Sequence, residues 1–236
     1  SRRGKSFGYQ VLGFGSGGKG PTPFIEATGG TTATSGDYKI HTFTGPGTFC
    51  VSGMPVTPAD KFVDYFVVAG GGGAGPQGGG AGGGGFRVSN SLGCIAASPL
   101  ASPTGIEVDI GPYAVAAGGG GAACGPRGTD SSFGPITSTG GGPGGAWNQP
   151  CTCKPGGSGG GGSSHNTAGT LTAGAGNTPP FSPSQGNPGG PATSSPNSGG
   201  GGGGASATGQ HSPGPTGALS SGGTGSYAVN DFFGPT

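Results

Sequence analysis

Charge, helical periodicity and long apolar runs are what this sequence has least of. Charged residues make up 7% of the 236 residues, and the formal net charge is +1. Such a balance offers no basic face for the phosphates of nucleic acid, so we expect no nucleic-acid partner. No run of about 18 apolar residues occurs, so we expect no membrane insertion. No segment combines a cap with apolar residues at helical spacing, and α-helix should therefore be nearly absent.

Large apolar side chains are scarce as well. Hydrophobic residues other than glycine account for 29% of the chain, whereas an ordinary domain has roughly 40% once its glycine is left out. A chain of this composition has a thin hydrophobic core, and association of copies is a usual remedy. The sequence therefore predicts a homo-oligomer.

Glycine and proline take the place of large side chains: the chain has 65 Gly and 23 Pro. Such compositions usually mean disorder, but disordered chains generally carry more charge. Ordering glycine is costly in backbone entropy, so backbone hydrogen bonds and close packing must compensate. We predict polyglycine II or polyproline II-type helices with three residues per turn. Collagen is excluded because the run 70–73 followed by Ala74 breaks the requirement for glycine at every third position.

Strand patterns concentrate between residues 37 and 140. Alternation over 38–43, the turn signal Gly45-Pro46-Gly47 and the apolar run 48–51 predict a hairpin. Residues 61–68 are expected to form one strand that leads into a glycine tract. Further strands are predicted at 86–88, 105–110 (with Ile106, Val108 and Ile110 inward), 113–115 and 132–137. The predicted fold class is all-β: a small antiparallel sandwich or sheet with the glycine helices packed on it.

Three regions follow from these patterns: an N-terminal docking arm (1–36), a β-rich domain with an inserted glycine tract (37–140), and a glycine-rich polyproline II-like region with an apolar C-terminal cap (141–236). The arm combines basic residues with a short aromatic patch. An edge strand of its own domain is the alternative interpretation of this arm. The apolar end either caps the glycine helices or inserts into a neighbour. The predicted assembly and docking residues are Arg2, Arg3, Phe7, Tyr9, Phe14, Phe232 and Phe233.

A nucleotide site is not expected, although residues 13–20 match G-x-G-x-x-G and nearly match a P-loop. A P-loop needs Ser or Thr after its lysine to bind magnesium, and then a helix whose N-terminus faces the phosphates. Gly20 follows Lys19, and Pro21 and Pro23 prevent a helix. We therefore expect no cofactor.

Metal and acid–base sites are not expected either. Cys124, Cys151, Cys153 and His165 are candidate zinc ligands, but Cys151 and Cys153 are spaced more tightly than structural zinc ligands usually are, so unligated cysteines or one disulfide are favoured. The five cysteines, an odd number, are expected to be mostly free and buried. Glu107 and Asp109 should lie on the outer face of a strand, where they discourage further pairing. We expect no enzyme activity.

Four aromatic residues have two interpretations. Trp147, Tyr113, Phe181 and Phe133 are suited to line a carbohydrate or receptor surface, or to pin the glycine helices onto the sheet. The second interpretation is favoured because a protein short of large side chains needs them inside. Trp147 is kept as the candidate for surface recognition.

Several stretches together resemble a known family. They are residues 38–49, 63–73, 82–87 and 130–139, with Asn177-Thr178-Pro179-Pro180 and Gln185-Gly186-Asn187 further on. Over about residues 37–205 the chain resembles glycine-rich structural proteins encoded by tailed phages of aquatic bacteria, and residues 9–15 resemble the start of such virion proteins. The resemblance implies a virion fibre, adhesin or surface decoration. It carries over no functional residue, since five cysteines and bulky residues interrupt the usual glycine and threonine stretches.

The resemblance sets the expected function. We expect a non-enzymatic structural protein of a phage virion that forms an oligomeric fibre, appendage or surface decoration and contributes to host attachment. A trimer is expected because three-fold helix bundles suit fibrous viral proteins. The expected partners are further copies, another virion structural protein bound through the arm, and a host surface polysaccharide or outer-membrane protein. The alternative is a cellular extracellular filament or matrix protein that self-assembles by backbone hydrogen bonding.

Overall fold

The structure, a computed structural model, describes residues 22–75, 78–91, 100–122, 126–146, 155–164, 172–193, 198–213 and 220–224. Within these ranges the chain is all-β, and its helical content is one 3₁₀ turn, Pro58–Asp60. The predicted all-β class with almost no α-helix is therefore confirmed. The strands are β1 Glu26–Thr28, β2 Thr31–Ser35, β3 Tyr38–Thr42, β4 Gly47–Gly53, β5 Phe62–Val63, β6 Phe66–Val68, β7 Phe86–Ser89, β8 Ala101–Ser102, β9 Ile106–Glu107, β10 Gly111–Ala116, β11 Ser131–Phe133 and β12 Ile136–Ser138.

A five-stranded antiparallel sheet forms the centre of the β region, in the order β1-β4-β10-β11-β12. Along β4, Phe49 and Val51 are buried while Thr48 and Ser52 are exposed. This two-residue alternation is what a strand with one buried face requires. β4 pairs with β1 on one edge and with β10 on the other.

The predicted hairpin between residues 38–43 and 48–51 is wrong, although both strands exist. β3 pairs with β2 instead, with Thr31 opposite Thr42 and Ser35 opposite Tyr38. Gly36 has φ of +56° in the tight turn between them, a conformation that glycine adopts at little cost. This turn joins β3 to the preceding segment and leaves β4 free to pair elsewhere.

Residues 26–28 and 31–35, which were assigned to the arm, form strands of the β region. β1 lies at the edge of the five-stranded sheet. β1 is therefore an edge strand of its own domain, as in the alternative interpretation of the arm. The arm stays a prediction for residues 1–21, which lie outside the described ranges.

Residues 61–68 form two strands, and the prediction of one is wrong. β5 pairs with β9, whereas β6 pairs with β7. Asp64 separates them: its Oδ1 accepts hydrogen bonds from Ser89 Oγ at 2.7 Å and from the Ser91 amide at 2.8 Å. The carboxylate thus ends one ladder and fixes the start of the next.

Residues 105–110 also differ from the single inward-alternating strand that was predicted. Ile106 and Val108 are buried, but β9 ends at Glu107 and Ile110 is 67% exposed. The chain turns immediately afterwards, since Gly111 has φ of +151° and begins β10. Alternation therefore stops before Ile110 is reached.

The segment predicted as one strand at 132–137 is a hairpin of β11 and β12. Gly134, with φ of +50°, forms its turn, and Phe133 lies opposite Ile136. The strand predicted at 86–88 is confirmed as β7, and the one at 113–115 lies within β10.

Two apolar clusters hold these strands together. The main core consists of Ala27, Phe49, Val51, Tyr65, Val67, Ile106 and Val108, with Ile25, Phe43, Met54, Val63, Tyr113, Val115, Phe133 and Ile136 packed against it. The second cluster is Phe86 and Val88, with Leu100, Ala101 and Ala205. β6 contributes to the main core with one face and contacts Phe86 with the other, through Phe66 at 5.1 Å between ring centroids.

Candidate functional site

The glycine-rich segments bond to one another through their backbones. We call this part the glycine bundle: residues 69–75, 78–85, 118–122, 126–129, 139–146, 156–164, 172–177, 185–192, 198–213 and 220–224. The amides of Gly79, Gly82 and Gly85 donate to carbonyl oxygens of residues 145, 142 and 139 at 2.8, 2.9 and 2.7 Å. Donors and acceptors both recur at every third residue.

The bonds of segment 139–146 are not those of a strand in a sheet. A strand bonds to at most two neighbours, one on each edge. Segment 139–146 accepts hydrogen bonds from 79–85, donates to Gly70 and Gly73 at 2.9 and 3.1 Å, and donates to Ser158 and Gly161 at 2.8 and 3.0 Å. Bonding in three directions with a period of three is what polyglycine II packing requires. This bonding pattern favours polyglycine II helices, which stay a prediction.

The interior of the glycine bundle has little room for side chains. Every residue of 141–146, 156–164 and 201–204 is buried. A Cβ atom on Gly82 would overlap the carbonyl oxygen of Ser158, and one on Gly202 would overlap that of Ala81. At the surface the situation differs, since a Cβ on Gly83 would meet its nearest neighbour, the Gly203 oxygen, at 3.7 Å. Glycine is therefore a steric requirement at the inner positions.

Gln185 ties the glycine bundle to the sheet. Its side chain is fully buried, and its Oε1 accepts a hydrogen bond from the Thr139 amide at 2.8 Å. Its Nε2 donates to Thr139 Oγ1 at 3.2 Å and to the Pro179 carbonyl at 3.0 Å. The Phe86 amide, at the start of β7, donates to the Gln185 carbonyl at 2.8 Å. One residue thus satisfies polar groups of a loop, a strand end and a glycine segment.

Phe181, in the loop between bundle segments 172–177 and 185–192, makes a second link to the sheet. The guanidinium carbon of Arg87 lies 4.2 Å from the centroid of its ring, and Arg87 also donates to the Thr137 carbonyl at 3.2 Å. Tyr113 and Phe133 pack against the main core. All three are therefore packing residues, but the contacts of Tyr113 and Phe133 are with the main core of the strands.

The predicted assembly residues lie outside the described ranges. These are Arg2, Arg3, Phe7, Tyr9, Phe14, Phe232 and Phe233, and Trp147, the candidate for surface recognition, is outside them too. The positions of these residues relative to one another are therefore not described, and their roles stay predictions. The P-loop-like segment 13–20 is likewise outside.

Only some of the polar residues considered for chemistry lie in the described ranges. Cys50, in β4, is free and half-buried, and the other four cysteines lie outside the described ranges. Among the described residues no group of three or more His, Cys, Asp and Glu side chains is placed to hold a metal ion. Glu107 and Asp109 are exposed. His41 lies 2.7 Å from the Gly29 carbonyl through Nδ1 and packs edge-on against Phe49.

One end of the five-stranded sheet carries exposed apolar side chains that the sequence analysis missed. Phe24 is 77% exposed, Val56 72% and Ile110 67%. They share this end because Thr22 forms a parallel bridge with Pro55, and because Gly111 pairs with Val51 near the end of β4. We call these three residues the open end. Isolated apolar residues beside prolines carry no signal of exposure, and Ile110 was assigned inward.

No helix in the described part of the chain is long and apolar enough to cross a membrane. No curated protein and no solved structure matches the chain. The family model of the glycine-rich domain matches residues 44–234, which include the β region from β4 onward and the whole glycine bundle. With most of its length matched, the chain belongs to the glycine-rich domain family.

Proposed function

We propose that this chain is a non-enzymatic structural protein of a phage virion, forming an oligomeric fibre, appendage or surface decoration. The observation that carries the proposal is the interior of the glycine bundle. Segments 141–146 and 156–164 are buried and bonded in several directions, and their side chains are almost all hydrogen or a methyl or hydroxymethyl group. Such an interior supplies stiffness and shape, and it places no reactive group in a cleft.

The assignment to a virion rests on the resemblance to phage proteins over residues 37–205. Strands β3 to β12 and the glycine bundle as far as residue 205 lie within that span, and the family match over residues 44–234 overlaps most of it. The protein is then located on the virion, as part of an appendage that contributes to host attachment.

The proposal includes an oligomer, with three copies as the expected number. The main core has few large buried side chains for a chain of this size, so burial between copies adds stability that the monomer lacks. Another virion structural protein binds the N-terminal arm. A host surface polysaccharide or outer-membrane protein contacts the far side of the assembly.

Electron microscopy of particles labelled with antibody to this chain tests the virion assignment. We expect label at discrete positions on phage capsids or tails, together with peptides of this chain in the mass spectra of purified particles. Label on unbounded filaments free of capsids would overturn it in favour of a cellular filament or matrix protein. Cleavage of host polysaccharide by the purified chain would overturn the non-enzymatic part.

A further inference from the structure

We propose that the open end binds the N-terminal segment, residues 1–21, of a second copy of this chain. This inference rests on the oligomer in the proposed function and gives that oligomer a specific contact. The open end presents Phe24, Val56 and Ile110 to solvent. Apolar side chains exposed near one another, unlike ones scattered singly, mark interaction surfaces.

The segment that enters this end of the sheet has a complementary composition. Residues 1–21 contain the aromatic and aliphatic stretch 7–14, flanked by Lys5 and Lys19, and they contain no Asp or Glu. The open end carries an acidic residue, since Asp109 is exposed next to Ile110. Opposite charges around an apolar contact favour the correct register and accelerate encounter.

The reach of the segment permits exchange between copies. Residues 14–22 span about 30 Å when extended, at about 3.3–3.6 Å per residue. Pro21 and Pro23 flank Thr22, which is held by its amide bond to the Met54 carbonyl at 3.0 Å. Proline fixes φ and biases the residue before it toward extended backbone, and an extended chain at this point favours reach to a second copy. Arg2 and Arg3 precede the apolar stretch and are left to contact the virion partner.

Two full-length variants isolate the two sides of the contact. In the arm variant, Tyr9→Ser and Phe14→Ser remove aromatic rings from residues 1–21. In the open-end variant, Phe24→Ser and Ile110→Ser remove two exposed apolar side chains. The control is Val68→Ser, which removes an exposed apolar side chain from β6. Circular dichroism and a melting curve establish that each variant folds.

Sedimentation equilibrium gives the association constants. We expect the wild type and the Val68→Ser control to self-associate alike, and each of the two double variants to associate at least about tenfold more weakly. An equimolar mixture of the two double variants should recover a one-to-one complex, because one copy keeps its arm and the other its open end.

Two results would overturn the inference and are distinguishable from failure of the proposed function. If both double variants assemble like the wild type, this contact is not the one used, while the oligomer stands. If they are weakened but their mixture does not associate, the arm does not bind the open end of a second copy. A wild type that is monomeric at all concentrations would remove the oligomer as well.

Discussion

Gln185 and Thr139, 46 residues apart in the chain, share two hydrogen bonds in a fully buried position, from the Thr139 amide to Oε1 at 2.8 Å and from Nε2 to Thr139 Oγ1 at 3.2 Å. Thr139 immediately follows β12, and segment 139–146 starts there. The pair therefore holds segment 185–192 against the point where the sheet ends and the glycine bundle begins.

Replacing Gln185 with Leu should lower the free energy of unfolding by about 2 kcal/mol or more, because buried polar groups on Thr139 and the Pro179 carbonyl lose their partners. Denaturant titration followed by circular dichroism measures the change. Gln210→Leu is the matched control, since Gln210 is exposed, and it should change stability by less than about 0.5 kcal/mol. Equal effects at the two positions would show that the buried network adds no stability.

Adjacent glycines in segment 78–85 should respond oppositely to an added methyl group. Gly82→Ala should destabilise by about 1–3 kcal/mol or more, because its Cβ would overlap the Ser158 carbonyl oxygen and force backbones apart. A Cβ on Gly83 would lie 3.7 Å from its nearest neighbour, the Gly203 oxygen. Gly83→Ala should therefore leave the free energy of unfolding unchanged or raise it by about 0.4–1 kcal/mol, through reduced entropy of the unfolded chain. Melting temperatures of both variants test this, and a harmless Gly82→Ala would contradict the tight packing.

The strands that could be predicted from the sequence are those with a local pattern. Residues 38–42 alternate between half-buried and exposed positions over most of their length, the apolar runs at 48–51 and 86–88 contain buried residues, and each of the three is a strand. Their partners could not be predicted, because pairing depends on turns and on distant segments. Gly36 joins β3 to β2, and β10, about 60 residues further along, takes the place beside β4.

The sequence predicts how the segments of the glycine bundle bond to one another, but it does not predict which segments are in contact. Absence of side chains requires backbone bonding, so the kind of interaction follows from composition. Which segments meet does not follow, because the glycine runs are nearly identical in sequence and differ only in their spacers. Gln185 shows the limit: nothing around it in the sequence distinguishes a buried glutamine from an exposed one such as Gln210. The predicted assembly residues, Arg2 to Phe14 and Phe232 with Phe233, remain to be tested.

Arg87 and Phe181 should be coupled energetically. A double-mutant cycle with Arg87→Met and Phe181→Leu should give a coupling free energy of about 0.5–1 kcal/mol, the usual value for a guanidinium over an aromatic ring at a partly exposed site. The cycle cancels the separate loss of the Arg87 hydrogen bond to the Thr137 carbonyl, which both Arg87 variants share. A coupling indistinguishable from zero would mean that the ring and the guanidinium are adjacent without attraction.

Asp64 should control the boundary between β5 and β6. Its Oδ1 accepts hydrogen bonds from Ser89 Oγ, the Ser91 amide and Ser91 Oγ at 2.7, 2.8 and 2.8 Å. Asp64→Ala should lower the free energy of unfolding by about 1.5–3 kcal/mol, because hydrogen bonds to a charged acceptor are lost. Asp64→Asn keeps an oxygen acceptor and should lose less.

Amide hydrogen exchange at Ser91 locates the effect of these substitutions. The Ser91 amide should exchange faster in Asp64→Ala than in the wild type, with an intermediate rate in Asp64→Asn, because the amide oxygen still accepts the bond. Asp60→Ala is the control, since Asp60 is exposed in the 3₁₀ turn, and it should leave the Ser91 rate unchanged. Unaltered exchange at Ser91 in Asp64→Ala would mean that the carboxylate does not hold the end of β7 against the start of β6.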